Sequence, residues 1–160
     1  MEQHFEIAPY EGAGPIKFRA SRQDVEGVLG PPESFYRTDY PPRMGLSPIY
    51  EARYDSSNVN LAYDLDHKLN YICFNQHRTP FQGTVSFRGI NIFEDNNAFL
   101  RLLEHDANPF EWVGFIFLME LGMRLEGFHS SSDSGLIVSL FERGRYDLKL
   151  QKLTPYQTNG

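Results

Sequence analysis

Apolar residues at helical spacing mark a first short helix near the start of this 160-residue chain. Val25, Val28 and Leu29 fall at positions i, i+3 and i+4, which places them on one face of a helix. The hydroxyl of Ser21 can cap the first turn, and Gly30 followed by two prolines forbids continuation. The pattern therefore predicts a helix of about two turns between Ser21 and Gly30.

The same pattern returns about 74 residues later along the chain. Asp95 is a suitable N-cap, Phe99, Leu102 and Leu103 repeat the apolar stripe, and Pro109 follows the end of the segment. Counted from the cap, both segments place apolar residues at the fourth, seventh and eighth positions. The match suggests an internal duplication, although two short stripes can coincide by chance.

Each predicted helix is followed by three runs that are rich in β-branched and aromatic residues, which is typical of strands. Polar or glycine-containing segments separate these runs as turns. The runs are IYEARYD (49–55), NVNLAYDLD (58–66) and KLNYICFN (68–75), and then FEWVGFIFLME (110–120), GMRLEGF (122–128) and GLIVSLFER (135–143).

These elements predict an α+β fold in one domain, residues 1–160. Two units, about 12–75 and 85–150, would each contribute a helix and a three-stranded meander. The strands would form one curved antiparallel sheet with the helices packed on one face, and the opposite face would be a concave docking surface. Residues 36–48 contain three prolines, so we expect an irregular loop there, of the kind that often carries function.

Composition narrows the class of partner. Hydrophobic residues make up 41% of the chain and aromatic residues 14%, which excludes a disordered protein. The net charge of −6 argues against nucleic acid as a partner and suits a basic protein surface. The longest apolar run is too short to span a bilayer, and the N-terminus does not resemble a signal peptide. We therefore expect a cytoplasmic protein without membrane contact.

The chemistry-bearing residues do not form a recognisable catalytic pattern. The single cysteine, Cys73, lies in an apolar strand-like run, which predicts a buried structural thiol. The five histidines have no metal-like spacing, and no phosphate-binding glycine motif is present. The serine-rich segment 130–135 is typical of a polar turn. The sequence thus predicts no enzyme activity, no cofactor and no metal.

Two segments carry a resemblance to known proteins. GPIKFRASRQDVEGVLGPPESF (14–35) and LAYDLDHKLNYICF (61–74) resemble the helix-plus-meander module of β-lactamase-inhibitory proteins and small outer-membrane-assembly lipoproteins. Single-domain versions of this module occur among immunity proteins of bacterial polymorphic toxin systems, including contact-dependent inhibition and type VI secretion. Arg19 and His67 stand where the motif has glycines.

The resemblance implies a cytosolic immunity protein that binds a cognate toxin and neutralises it by occlusion. The alternative is a small enzyme or ligand-binding domain that uses an aromatic-lined pocket on the sheet. Exposed acidic residues and loop tyrosines would contact a basic toxin surface. The predicted partner-binding residues are Tyr36, Asp39, Tyr40, Asp55, Asp64, Asp66, Glu126 and Asp133.

Overall fold

In a computed structural model of the protein, residues 3–76, 79–129 and 135–157 are described, except for the side chain of Leu148. The two helices are α1, Arg22–Leu29, and α2, Ala98–Leu103. Three 3-10 turns span Pro42–Met44, Asp55–Ser57 and Asp147–Lys152. The strands are β1 Gln3–Ala8, β2 Gly12–Ala13, β3 Ile16–Lys17, β4 Ser34–Thr38, β5 Ile49–Tyr54, β6 Val59–Tyr63, β7 Leu69–Gln76, β8 Gly83–Phe87, β9 Ile90–Asn91, β10 Phe110–Trp112, β11 Phe115–Leu118, β12 Met123–Glu126, β13 Leu136–Phe141 and β14 Thr154–Pro155.

The predicted α+β fold of two helix-plus-meander units is wrong. Strands account for 42% of the protein and helices for 17%, and the strands form two sheets, one of five strands and one of nine. The prediction failed because it placed all the strands in one sheet and assigned no sheet partners to the N-terminal segment. Residues 3–17 instead supply three strands, which form a second sheet together with β8 and β9.

The nine-stranded sheet is antiparallel throughout and runs in the order β14-β10-β11-β12-β13-β7-β6-β5-β4. Strands β7 and β13 meet at its centre, with Phe74 opposite Val138. The predicted strands around 49–54, 59–63 and 69–76 are confirmed. Their alternating patterns direct Leu61 and Ile72 into the core, since successive side chains point to opposite faces of a sheet.

The five-stranded sheet covers the inner face of the larger sheet. Its first strand pairs in parallel with β8, so Phe5 lies opposite Val85, and both residues are buried. The Phe5 ring lies 4.9 Å from the ring of Phe74 on β7, which brings the two sheets together in one apolar core. Burial of such large side chains contributes on the order of 2 kcal/mol each.

Helix α1 confirms the predicted N-cap and C-terminus. The Ser21 hydroxyl accepts a hydrogen bond from the amide of Asp24 over 3.1 Å, and Gly30 follows the last turn with a φ of 82°. Val25 is buried, but Val28 is 47% exposed, so its assignment to the buried stripe is wrong.

Helix α2 begins two residues later than expected, with Asn97 rather than Asp95 at the N-cap position. The Asp95 carboxylate instead accepts a hydrogen bond from the amide of Asn97 over 2.8 Å and pairs with Arg101. Asp95 therefore closes a turn before the helix, which is the competing use of an aspartate side chain.

Two predicted segments, the loop 36–48 and the strand 110–120, differ from the structure. The predicted loop 36–48 begins inside an edge strand, β4, and contains a 3-10 turn at Pro42–Met44. The predicted single strand at 110–120 is a hairpin, because Val113 and Gly114 both adopt positive φ and reverse the chain. A valine rarely adopts this conformation, so Val113-Gly114 was not recognised as a two-residue turn.

Candidate functional site: a cationic cleft on the outer face

The outer face is the side of the nine-stranded sheet that points away from the five-stranded sheet. Strand register places Tyr36, Glu51, Ala62, Tyr71 and Phe141 in one row across this face. Side chains alternate between the two faces of a sheet, so these five residues share one face. They include aromatic, charged and small side chains. The inner face, in contrast, contributes the main apolar core of the protein.

A second apolar cluster covers part of the outer face. Its buried members are Phe117, Phe141, Tyr146 and Leu153. The ring of Tyr146 lies 4.7 Å from that of Phe141 and 5.1 Å from that of Phe117. These contacts hold the C-terminal segment, with its 3-10 turn at Asp147–Lys152, against the sheet.

Beside this cluster lies a cleft of about 350 Å³, which we call the Arg124 cleft. Its volume is in the range of small-molecule sites. One wall comes from the loop between β4 and β5, and the other from the C-terminal segment. Its lining residues are Tyr40, Met44, Leu46, Ser47, Ile49, Asn70, Arg124, Arg145, Tyr146 and Lys149.

Arg124 is half-buried, and its side chain is fixed by neutral groups. Its guanidinium donates to the Tyr71 hydroxyl over 3.0 Å, approaches the Tyr146 hydroxyl at 3.4 Å, and lies 4.6 Å from the centre of the Phe115 ring. Among the described residues, no carboxylate lies within 4.0 Å of this guanidinium. Burial works to lower the Arg124 pKa, but Tyr71 and Tyr146 keep it raised, so the charge persists.

Two more cations line the same cleft. The Arg145 guanidinium stacks over the Tyr71 ring at 4.4 Å and reaches Asn70 at 3.4 Å. The Lys149 ammonium lies 4.7 Å from the Trp112 ring centre. Burial lowers the pKa of Lys149, and the nearby charges of Lys152, Arg124 and Arg145 lower it further. The cleft is therefore a concentration of positive charge in an acidic protein.

Potential nucleophiles next to the cleft are held in their neutral forms. Burial raises the pKa of the Cys73 thiol, and burial together with Cys73 raises the pKa of Tyr71 to about 12. The Tyr71 hydroxyl donates to that of Ser139 over 2.7 Å. These groups form a hydrogen-bonded support beneath Arg124, and burial disfavours the thiolate of Cys73 and the phenolate of Tyr71.

The predicted partner-binding residues do not come together. Asp55 and Glu126 lie at one end of the nine-stranded sheet, whereas Asp39, Asp64 and Asp66 lie at the other. Tyr36 is 40% exposed on the edge strand β4, and Tyr40 lines the cleft. Asp133 lies outside the described residues.

Three of these acids are already paired with arginines. Asp39 contacts Arg37 at 3.0 Å, and Asp55 contacts Arg53 at 3.2 Å. The Asp64 carboxylate lies 2.7 Å from Arg19. It also accepts hydrogen bonds from the amides of residues 66 and 68, so this acid closes the β6–β7 turn.

Sequence reasoning missed all three cations of the cleft. Two signals were present in the chain. The alternation of MRLE (123–126) places Arg124 on the face opposite Met123 and Leu125, and the segment 143–152 holds four of the 15 basic residues. Neither signal shows that the loop after β4 closes over these residues.

Comparisons with protein-family models, with curated proteins and with solved structures found no match to the chain. None of the helices within the described ranges is long and apolar enough to cross a membrane. Those ranges also contain no group of three or more histidine, cysteine, aspartate or glutamate side chains placed to hold a metal ion.

Proposed function

We propose that this protein is an immunity-type binding protein that neutralises a toxin by occlusion, and that the toxin docks on the outer face. The observation that carries the proposal is the Arg124 cleft, a preformed cationic site held in place by neutral groups. A rigid site of this kind costs little ordering entropy on binding, which favours high affinity.

The groups around the cleft suit binding better than chemistry. A catalytic base or nucleophile needs a pKa near the working pH, whereas those of Cys73 and Tyr71 are raised by burial. Their contribution is to orient Arg124. These observations support binding rather than catalysis as the function of the cleft.

The backbone at two motif positions supports the resemblance to immunity proteins. Arg19 has a φ of 73° and His67 a φ of 58°. Glycine adopts such angles most easily, and the resembled motif has glycine at both positions. The sequence signal therefore matches the backbone conformation even where the residues differ.

Charge determines which toxin surface would fit. The cleft would receive an acidic group of the toxin, whereas the acids at the two ends of the sheet would face basic groups. Asp66 is exposed and Glu126 half-buried, and neither forms an ion pair among the described residues. Complementary charges of this kind accelerate association and select the partner.

Co-expression tests the proposal in bacteria. The probe is the product of the reading frame next to this gene, expressed at a level that stops growth. We expect the protein to restore growth and to form a one-to-one complex on size-exclusion chromatography. If growth is not restored and no complex forms, the proposal fails.

Paired variants test the docking face. The double change Arg145→Glu and Lys149→Glu reverses two charges in the cleft and should abolish protection. Lys152→Glu is the control, because Lys152 lies over Trp112 but does not line the cleft. Equal loss of protection in the variant and the control would exclude the cleft from the interface.

A second candidate function is ligand binding by a small domain. The same cleft favours it, since its 350 Å³ and its tyrosine and cation lining fit a small molecule as well as a side chain.

A further inference from the structure

The Arg124 cleft has two chemically different walls. Met44, Leu46 and Ile49, from the loop between β4 and β5 and the start of β5, provide an apolar side. Arg124, Arg145 and Lys149 provide a cationic side. A molecule that satisfied both walls would carry negative charge at one end and an apolar body at the other.

The unused N–H donors of the cleft are suited to binding an oxyanion. A guanidinium has five N–H donors. The hydrogen bonds to Tyr71, Tyr146 and Asn70 use only part of the capacity of Arg124 and Arg145. Planar guanidinium groups match the paired oxygens of carboxylate and phosphate.

Within the described residues, no carboxylate lies within 4.0 Å of the charged groups of Arg124, Arg145 or Lys149. The acids that interact with cleft residues at longer range are Glu126, two positions along the strand from Arg124, Glu51, whose charge acts on Tyr40, and Glu142, on which the charge of Arg145 acts. Three like charges in a half-buried cleft repel one another, and an anion placed among them relieves that repulsion.

We infer that the Arg124 cleft is a binding site for one oxyanion group, phosphate or carboxylate, attached to an apolar body. This inference rests on the proposed use of the cleft for binding and names the chemistry it recognises. Such a group reaches the cleft from one of two sources, as part of a free small molecule or as a side chain of the docked toxin.

Isothermal titration of the full chain with phenyl phosphate tests the site. We expect saturable one-to-one binding that weakens as the salt concentration rises, because screening reduces the attraction. Benzyl alcohol, which has the apolar body without the charge, should bind at least about tenfold more weakly, since a charge-assisted hydrogen bond contributes that much.

Matched variants locate the bound anion. Lys149→Gln and Arg145→Gln should each lower the affinity for phenyl phosphate about tenfold. Lys152→Gln removes the same charge from the same 3-10 turn and should change the affinity less than about twofold, because Lys152 does not line the cleft and its attraction to the anion is screened. Failure of phenyl phosphate to bind, or equal losses in Lys149→Gln and Lys152→Gln, would overturn the inference.

Competition separates the two sources of the oxyanion. If phenyl phosphate displaces the toxin from its complex, the toxin supplies the group. If phenyl phosphate binds while the complex stays intact, the ligand is a free small molecule and the toxin docks outside the cleft. Absence of binding together with normal growth rescue would refute the oxyanion site while leaving the immunity function in place.

Discussion

The Arg124 guanidinium donates a hydrogen bond to the Tyr71 hydroxyl over 3.0 Å and so connects β12 to β7 across the intervening strand β13. Tyr71 in turn donates to Ser139 on that middle strand. One hydroxyl therefore links three neighbouring strands and sets the direction of the cation that lines the cleft.

Removing the Tyr71 hydroxyl should destabilise the folded protein. Tyr71→Phe leaves the guanidinium of Arg124 without its best acceptor, so we expect the free energy of unfolding to fall by about 1 to 3 kcal/mol in urea denaturation. Tyr36→Phe is the control, because its hydroxyl contacts Arg53 at the exposed sheet edge, and its effect should stay within about 0.5 kcal/mol. Equal effects would show that the link contributes nothing.

In the hairpin between β10 and β11, the backbone strain at Val113 can be relieved by substitution. Val113 has a φ of 49° and is 72% exposed, and Gly114 beside it has a φ of 85°. Asparagine adopts this conformation more readily, so Val113→Asn should raise the free energy of unfolding by about 1 kcal/mol. Thermal unfolding monitored by circular dichroism would detect the change as a rise of about 2 to 4 °C.

Val113→Ala is the matched control for this hairpin. It removes the branched side chain but gains no preference for a positive φ, so its effect should stay within about 0.5 kcal/mol. A loss of stability in Val113→Asn would contradict the strain and would indicate that the valine side chain makes a stabilising contact.

The parallel pair β1–β8 depends on a glycine. A Cβ atom on Gly83 would lie 2.2 Å from the carbonyl oxygen of Gln3, and its φ is 120°. Gly83→Ala must therefore push β1 away, and we expect a loss of about 3 kcal/mol or more in urea denaturation. Gly89→Ala, at a φ of 82° with open space around it, should cost only about 1 kcal/mol.

Hydrogen exchange distinguishes the cause of the loss at Gly83. If the Cβ atom displaces the N-terminal strand, the amides of residues 3–8 should lose protection before the rest of the sheet. Unchanged protection there would show that the strand tolerates the extra carbon.

Asp64 and Asp106 should contribute to the stability of the protein with opposite dependences on pH. Burial works to raise the pKa of Asp64, but amide hydrogen bonds from residues 66 and 68 and the Arg19 pair lower it below its ordinary value of 3.8. A lowered folded-state pKa contributes stability that is present above pH 3.8 and is lost as the pH falls through the folded value. The loss of unfolding free energy caused by Asp64→Asn, measured by urea denaturation, should therefore be larger at pH 7 than at pH 3.

The pKa of Asp106 is shifted in the opposite direction to that of Asp64. Burial raises its pKa above the ordinary value of 3.8, despite hydrogen bonds from the amides of Asn108 and Glu120. The stability that it contributes is complete below pH 3.8 and is lost as the pH rises through the folded value. The free energy of unfolding of Asp106→Asn should therefore rise relative to that of the natural protein as the pH increases from 3 to 7. A parallel response of both variants would refute this assignment.

Local features of this protein were predictable from the chain. The cap of α1 depends on Ser21 and Asp24, which are three residues apart, and its end depends on Gly30. Strands β5, β6 and β7 follow from alternation within a few residues. Such signals succeed because the groups that interact are neighbours in sequence.

The fold class and the cleft required the tertiary structure. Pairing of Phe5 with Val85 joins segments 80 positions apart, and the backbone of Val113 takes a turn that its side chain does not favour. The residues themselves determined that Arg124 faces away from the core. Only the path of the chain decided that Arg145 and Lys149 converge on it beneath the loop after β4, because contacts between distant segments depend on how the whole sheet is assembled.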